Sequence, residues 1–314
     1  MTRIGDSPLE LFPLGLGGNT FGNTTDAAAS EAVLDAFVEG GGNLIDTADA
    51  YAYWKPGNRG GESETILGEW MRRRGNRASV LIATKVGAHP EFKGLAPENI
   101  ARAAEASLRR LQTDTIDLYY AHYDEAGRPI EEIAGAFDRL VREGKVRAVG
   151  ISNVSPERIA AWMRTARENG LAVPVALQPE YNLVGRRNYE RSVAPLAEEH
   201  GLLVFPYYGL ASGFLSGKYR TPADLEGAAR GRKVKEYLNE DGLRVVDALR
   251  EVAEARGAAV ATVALAWLLA KPTVTAPLAS ATRVEQLAEL MAAPRLELGA
   301  EEVARLDEAS RPFA

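Results

Sequence analysis

Short apolar runs and longer segments with apolar residues at helical spacing take turns along the chain. Runs at 13–18, 44–45, 80–84, 115–121, 146–151, 173–177, 202–206 and 273–278 predict eight strands. Between them, 26–39 places Val33, Leu34, Phe37 and Val38 on one helical face and stops at Gly40-Gly41-Gly42. Further helices are predicted over 62–74, after Pro97, from near Pro129, after the N-cap pair Ser155-Pro156, and over 242–256, 259–270, 284–291 and 300–310. Residues 2–12 read as a short hairpin turning at Gly5-Asp6-Ser7-Pro8. Eight strands separated by helices predict an α/β fold, a closed (β/α)8 TIM barrel forming one domain over 1–314. The N-terminal hairpin precedes it, and extra helices near the C-terminus are added to it. A doubly wound sheet is the rival, and it lacks support. Gly15-Leu16-Gly17-Gly18 is the nearest match to a GxGxxG turn and misses its spacing. The stretch 212–241 is the one irregular insertion, rich in Gly, Lys and Arg.

The polar residues that end the strands change the picture. In such a barrel every strand's C-terminal end faces one mouth, so residues far apart in sequence converge. That inventory is Asp46, with Tyr51 just after it, Lys85, His122, Ser152, Asn153, Gln178 and Tyr207. A lysine ending an apolar strand is costly unless it meets a carboxylate, and Asp46 is one strand away. The pair reads either as a structural ion bridge or as a charge relay beside Tyr51. A nearby ammonium is expected to favour the phenolate, making Tyr51 a proton donor to a carbonyl oxygen. His122 is one of three histidines, and its place at a strand end beside that tyrosine and lysine favours a chemical role. Ser152, Asn153 and Gln178 suit a planar amide, nicotinamide or otherwise, and Tyr207 offers a stacking face. Metal binding is a poor reading of the same set, because lysine competes with a cation and no HxH or HExxH occurs. A serine nucleophile is also weak without a GxSxG elbow.

Composition adds exclusions. The chain has 314 residues, 46% hydrophobic and 25% charged, with no cysteine and hence no thiolate chemistry. A formal charge of −6 argues against nucleic acid as a partner. No window has the roughly 18 apolar residues of a membrane span, and the N-terminus has no signal-like apolar core, so a cytoplasmic location is expected.

The same segments resemble the aldo-keto reductase superfamily over nearly the whole chain. Ile45-Asp46-Thr47-Ala48-Asp49-Ala50-Tyr51 with Glu62-Ser63-Glu64, Ala83-Thr84-Lys85, the stretch 118–124, Gly150-Ile151-Ser152-Asn153 and Gln178-Pro179-Glu180-Tyr181-Asn182 are similar to its signatures in order. The resemblance, which is to bacterial members, implies NADPH-dependent reduction of an aldehyde or ketone, with NAD possible and no metal. It makes Tyr51 the general acid, Lys85 and Asp46 its relay, and His122 the donor that orients the carbonyl. Ser152, Asn153 and Gln178 would hold the carboxamide under a stacked Tyr207. Gly213-Phe214-Leu215-Ser216-Gly217-Lys218-Tyr219 is similar to the segment over the pyrophosphate, so Gly209, Leu210, Gly213, Leu215, Gly217 and Lys218 join the cofactor set. Ser280, Thr282, Arg283 and Gln286, at the start of the last barrel helix, would meet the adenosine phosphate, with Arg283 the one cation there. A monomer or weak homo-oligomer is implied.

The chain also departs from the family pattern. Ala52-Tyr53-Trp54 replaces the glycine that usually follows the tyrosine, Tyr208-Gly209 replaces Ser-Pro, and Leu290 stands for an asparagine that binds adenine. Asn19, Phe21, Tyr53, Trp54, Tyr123 and Tyr208 are therefore expected to line the pocket of a mostly apolar carbonyl substrate. Two other readings stay in play: a cofactor-binding regulatory subunit without turnover, and an isomerase or lyase on the same barrel.

Overall fold

The computed structural model describes residues 2–228 and 230–314; Met1 and Ala229, which fall within the expected 1–314 domain and the 212–241 insertion, lie outside them. Eight parallel strands form a curled sheet: β1 (Gly15–Gly17), β2 (Leu44–Asp46), β3 (Leu81–Val86), β4 (Ile116–Ala121), β5 (Val146–Ser152), β6 (Ala176–Gln178), β7 (Leu203–Val204) and β8 (Leu278–Ala279). Strands β1 to β7 pair in sequence order, and β8 pairs with β1. The remaining seam is drawn together by a parallel bridge at Val204 and Val274 and by Leu278 N–H donating to the Pro206 carbonyl at 2.8 Å.

The pleat decides which side chains enter the barrel. Leu44, Leu81, Ala83, Leu118, Tyr120, Ala148, Ala176, Phe205 and Leu278 pack together inside it, with Ile4 closing the bottom. Their alternates, such as Ile45, Ile82, Tyr119, Val149, Ile151 and Leu177, face the helices. Asp46 has the parity of Leu44, Lys85 that of Leu81 and Ala83, Ser152 that of Ala148, and Gln178 that of Ala176. The polar strand ends therefore continue the inward-facing rows.

The helices wrap this core. They include α1 (Ala27–Glu39), α2 (Glu62–Arg74), α3 (Pro97–Leu111), α4 (Ile130–Arg142), α5 (Pro156–Glu168) and α6 (Ala194–His200). Ser155 caps α5 by accepting from Arg158 N–H, as the sequence predicts, and Asp26, expected inside α1, instead caps it by accepting from Ala29 N–H. A short α7 (Gly231–Val234) lies in the insertion, followed by α8 (Glu240–Arg256), α9 (Val260–Leu269), α10 (Val284–Met291) and α11 (Ala300–Ala309). Helix α6 and the single π-turn before it (Tyr189–Val193) are additions to the predicted series. The N-terminal segment doubles back with Leu11 N–H on the Thr2 carbonyl at 2.8 Å, a hairpin turn without strand pairing. No single helix among the described residues is long and apolar enough to cross a membrane.

At the bottom of the barrel Asp117, almost fully buried, accepts from Ile82 N–H at 2.8 Å and Arg77 at 2.7 Å, with Arg147 at 3.4 Å. Arg147 also reaches Asp6 at 3.2 Å, tying β3, β4, β5 and the N-terminal turn. Removing the carboxylate strands the buried Ile82 N–H and takes an acceptor from each of two guanidinium groups. Asp117→Ala is expected to cost about 3 kcal/mol of stability in urea unfolding, with catalytic parameters unchanged because the mouth lies at the other end; a shift under about 0.5 kcal/mol would make this cluster incidental.

Candidate active site

The centre of the mouth is the Lys85 ammonium, fully buried near the end of β3. Its three N–H donors meet three acceptors: Asp46 Oδ2 at 2.6 Å, the Thr47 carbonyl at 2.7 Å and Tyr51 Oη at 3.0 Å. Tyr51 in turn points its hydroxyl at Asp46 Oδ2, 3.3 Å away. The loop 47–51 is held in this shape by continuing the β2–β3 ladder: Thr47 N–H donates to the Ala83 carbonyl at 2.8 Å and Asp49 N–H to the Lys85 carbonyl at 3.3 Å. Thr47 Oγ1 also donates to Ser63 Oγ, which donates to the Gly18 carbonyl, both at 2.8 Å.

Burial lowers the Lys85 pKa, and the Asp46 carboxylate opposes that change. Tyr51 behaves differently from the sequence-based expectation. Burial and the Asp46 carboxylate push its pKa well above the ordinary phenol value, because the hydroxyl lies deep and faces that carboxylate as well as the ammonium. It is a neutral phenol, and its proton is held only by a long hydrogen bond.

His122 follows β4, its N–H donating to the Val86 carbonyl at 3.0 Å, and its ring stands edge-on to Tyr51 with centroids 6.2 Å apart. Burial, then Lys85, holds its pKa well below 6.5, so the imidazole is neutral at pH 7. The loop that carries it is clamped by Arg158, which binds Asp124 at 2.7 Å and reaches the carbonyls of Glu125 and Arg128.

On the far side, Ser152 and Gln178 are buried register partners on β5 and β6. Asn153 adopts a left-handed backbone (φ 51°) and donates to the His122 carbonyl at 2.9 Å, while Tyr207 Oη donates to Asn153 Oδ1 at 2.8 Å. A cavity of about 450 Å³ opens beside Asn153, Gln178 and Tyr207. After β7 the backbone is strained: Tyr208, Ala211 and Ser212 all have positive φ, followed by Gly213 at 93°. Such non-glycine residues cost about 1–3 kcal/mol each and cluster where a ligand is clamped. Gly213, at φ 93°, adopts a conformation that residues with a Cβ rarely take, and the end of Lys218 lies beside it. Leu215, Gly209 and Gly217 are buried and Leu210 is half-buried; the Leu215 and Gly217 N–H groups donate to the Leu210 and Phe214 carbonyls, which fixes the turn.

Phe21 sits elsewhere than the pocket lining expected of it, while Asn19 is half-buried just after β1. Asn19 Oδ1 accepts from Ser280 at 2.8 Å and from Arg230 at 3.3 Å, on the β1–β8 side. Phe21 is fully enclosed in the core between barrel and helices and cannot line an open mouth. The other aromatics do surround it. Among the described residues the exposed large hydrophobic side chains are Tyr53 (44%), Trp54 (49%), Tyr123 (53%), Tyr208 (37%) and Val284 (41%), four of them from mouth loops. Trp54 packs edge-on against Tyr51, and Tyr123 stacks on His122. At the start of α10, Gln286 Oε1 accepts from Thr282 N–H and Oγ1 at 2.9 and 3.0 Å, and Arg283 is exposed, with Glu285 at 3.9 Å.

Sequence reasoning did not reach three supporting groups. Glu64 is buried and accepts from Thr84 at 2.5 Å and Arg110 at 2.6 Å, locking α2 to β3 and α3. Arg158 holds the His122 loop. The third is the link from Gln178 Nε2 to Asp46 Oδ1 at 2.7 Å. The parity of Thr84, opposite to Lys85, signalled a polar partner on the helix side.

Comparison with known proteins agrees with this geometry. The model of the aldo/keto reductase family matches residues 13–311. The chain belongs to the aldo/keto reductase family. It is 33% identical over 301 residues to a probable voltage-gated potassium channel subunit beta of Arabidopsis thaliana, covering 93% of this chain and 90% of that one. It is 32% identical to the oxidoreductase YrpG of Bacillus subtilis (strain 168), covering 96% and 92%. Norsolorinic acid reductase B of Aspergillus parasiticus is 32% identical, with 96% and 81% covered. Family membership supports oxidoreductase chemistry in general for this aldo/keto reductase.

The depressed His122 pKa has a consequence for stability. A histidine whose folded pKa lies below its unfolded value contributes stability that is full above about pH 6.5 and is lost as pH falls through the folded value. His89 shifts the same way through burial and Arg110. His122→Asn is expected to shrink the fall in melting temperature on acidification from neutral pH; an acid limb as steep as that of the native chain would mean that His122 is not held neutral.

Proposed function

We propose that this chain is an NADPH-dependent carbonyl reductase, reducing aldehydes or ketones and oxidising the alcohols in reverse. The observation that carries the reading is the saturated ammonium: Lys85 spends its donors on Asp46, Thr47 and Tyr51, so the Tyr51 phenol is oriented by a fixed charge. Family membership and the name of the fungal relative support the same reading.

The residues fit the cofactor. Ser152, Asn153 and Gln178 would hold its carboxamide, with Tyr207 against the ring. The strained turn 208–213 and Lys218 would take the pyrophosphate; among the described residues no carboxylate pairs with Lys218. When bound, NADPH supplies the hydride. The chain's own residues do the rest. Tyr51 Oη releases its proton to the substrate oxygen and takes the ammonium's hydrogen bond as charge grows on it. The long contact to Asp46 makes that proton easy to redirect. Neutral His122 donates a hydrogen bond without adding a charge, and Tyr53, Trp54, Tyr123 and Tyr208 shield the reacting groups from water. An aromatic rim of this kind favours mostly apolar carbonyl substrates.

The plant channel-subunit relative supports a second reading, a cofactor-binding regulatory chain with little turnover. Loss of NADPH absorbance with 4-nitrobenzaldehyde separates the two. Tyr51→Phe is expected to abolish that loss while NADPH affinity stays within about threefold; near-normal kcat in this variant would place the acid elsewhere. No turnover by the native chain across a panel of aldehydes and ketones, with cofactor bound, would favour the regulatory reading.

Preference for NADPH over NADH rests on Arg283. It stands at the start of α10 against the helix dipole, an unfavourable place for a cation without an anionic partner, and its contact to Glu285 is exposed and long. Arg283→Ala is expected to weaken NADPH binding by about tenfold, measured by fluorescence titration, and to leave NADH binding nearly unchanged. Equal loss for both cofactors would show that Arg283 does not read the 2′-phosphate.

A further inference from the structure

The hydrogen bond from Gln178 to Asp46 joins β6 to β2, strands on opposite sides of the eight-stranded ring, across 132 residues of sequence. Both residues are 2–3% exposed, so water does not compete for the contact. Its direction follows from chemistry. Asp46 is an acceptor, so the Gln178 amide must present Nε2 to it, which turns Oε1 away. Gln178 also neighbours the buried Tyr120 phenol and opposes the rise that burial gives its pKa. That ring lies where Gly150, its register partner on β5, has no side chain; a Cβ there would sit 2.3 Å from it.

Asp46 thereby has its two oxygens divided. Oδ1 takes Gln178, and Oδ2 takes Lys85 at 2.6 Å and Tyr51 at 3.3 Å. We propose that Gln178 is a positioning residue of the proton relay as well as a carboxamide contact: it fixes the Asp46 carboxylate so that Tyr51 keeps a long, releasable hydrogen bond. Without that donor Oδ1 is buried and unpartnered. The carboxylate then turns to take a short hydrogen bond from the Tyr51 hydroxyl, which draws the proton away from the cleft. Its effect on turnover rests on the reductase reading above; the strut itself does not.

Two measurements test it. The first needs neither cofactor nor turnover. Gln178→Glu introduces a carboxyl facing Asp46, with Lys85, Tyr51, Tyr120 and His122 as the other titratable neighbours. To donate to Asp46 it must keep its proton, so its folded pKa is raised above its unfolded one. The sign follows: its stability is retained at low pH and lost as pH rises through that folded pKa. The melting-temperature deficit against the native chain is expected to widen from about pH 5 to about pH 8, and to widen less when Asp46→Asn is also present. Equal widening in both backgrounds overturns the strut. The second covers the case in which Asp46→Asn fails to fold. Gln178→Met is expected to lower kcat about tenfold, with NADPH affinity, by fluorescence titration, falling by no more than the roughly tenfold that one lost carboxamide hydrogen bond accounts for. In a Lys85→Met background the same substitution should lower kcat little further, since the relay is already broken. An affinity loss with native kcat overturns the positioning role and leaves Gln178 as a carboxamide contact alone. A native chain that binds NADPH yet reduces no carbonyl overturns the reductase reading instead, and the melting comparison still decides the strut.

Discussion

A buried ammonium is tolerated only when each of its donors is met, and this single constraint organises the mouth of the barrel. Lys85 enters by pleat parity, on the same inward row as Leu81 and Ala83, so the fold has no way to turn it outward without flipping the strand. Its three acceptors come from a strand end, a loop carbonyl and a loop phenol. Supplying them requires the chain after β2 to turn immediately and stay small, as Thr47, Ala48, Asp49 and Ala50 do. The Thr47–Ser63–Gly18 chain of hydrogen bonds then fixes that turn to α2 and to the end of β1. The signature around Tyr51 is thus a packing solution to one charge before it is a catalytic one.

The strand ends were legible because parity is local. An inward row of apolar residues that ends in Asp46, Lys85, Ser152 or Gln178 can be read from a few neighbouring positions, and α2 and α10 matched their predicted spans for the same reason. Partnerships across the barrel were not legible. The Gln178–Asp46 bond depends on ring closure, and Arg158 reaches the His122 loop only once α5 has packed beside α4. Phe21 was misplaced because an aromatic after a strand has two destinations, the open mouth or the layer behind it, and the Gly22 and Thr25 turn folds it into the layer. Tyr51 acidity was misjudged for a related reason. Sequence spacing reveals the ammonium next to the phenol but not the depth of the hydroxyl or the orientation of the carboxylate, and these two outweigh the ammonium.

The turn after β7 is built differently. Around Lys85 every donor is satisfied, whereas the turn after β7 accumulates left-handed residues at Tyr208, Ala211 and Ser212. That strain is tolerated because the turn is packed from beneath: Ala211, Phe214 and Leu215 are buried, and Arg250 donates to the Gly217 carbonyl at 2.7 Å. Rigid support under a strained turn preorganises its exposed face for a ligand, which would otherwise have to order a flexible loop on binding. Lys233 of α7 lies 5.9 Å over the Tyr208 ring, so the insertion meets the mouth at the point where strain and aromatic surface coincide.

The two aspartates of the 46–51 stretch show why position, not residue type, sets charge here. Asp46 faces Lys85 and Gln178. Asp49, three residues on, is fully buried, and neither of its carboxyl oxygens has a hydrogen-bond partner. Burial first and the Glu64 carboxylate second push its pKa well above the ordinary value, with Arg110 opposing. Arg110 is bound to Glu64 at 2.6 Å and makes no hydrogen bond to Asp49, so it opposes the rise only through space. Burial therefore biases Asp49 toward its neutral form. Had it been ionised, Lys85 would stand between two carboxylates, its ammonium would be held more tightly, and Tyr51 would face still more negative charge. An Asp49 biased toward its protonated form leaves the Lys85 ammonium opposed chiefly by one carboxylate, with the Tyr51 phenol hydrogen-bonded to both.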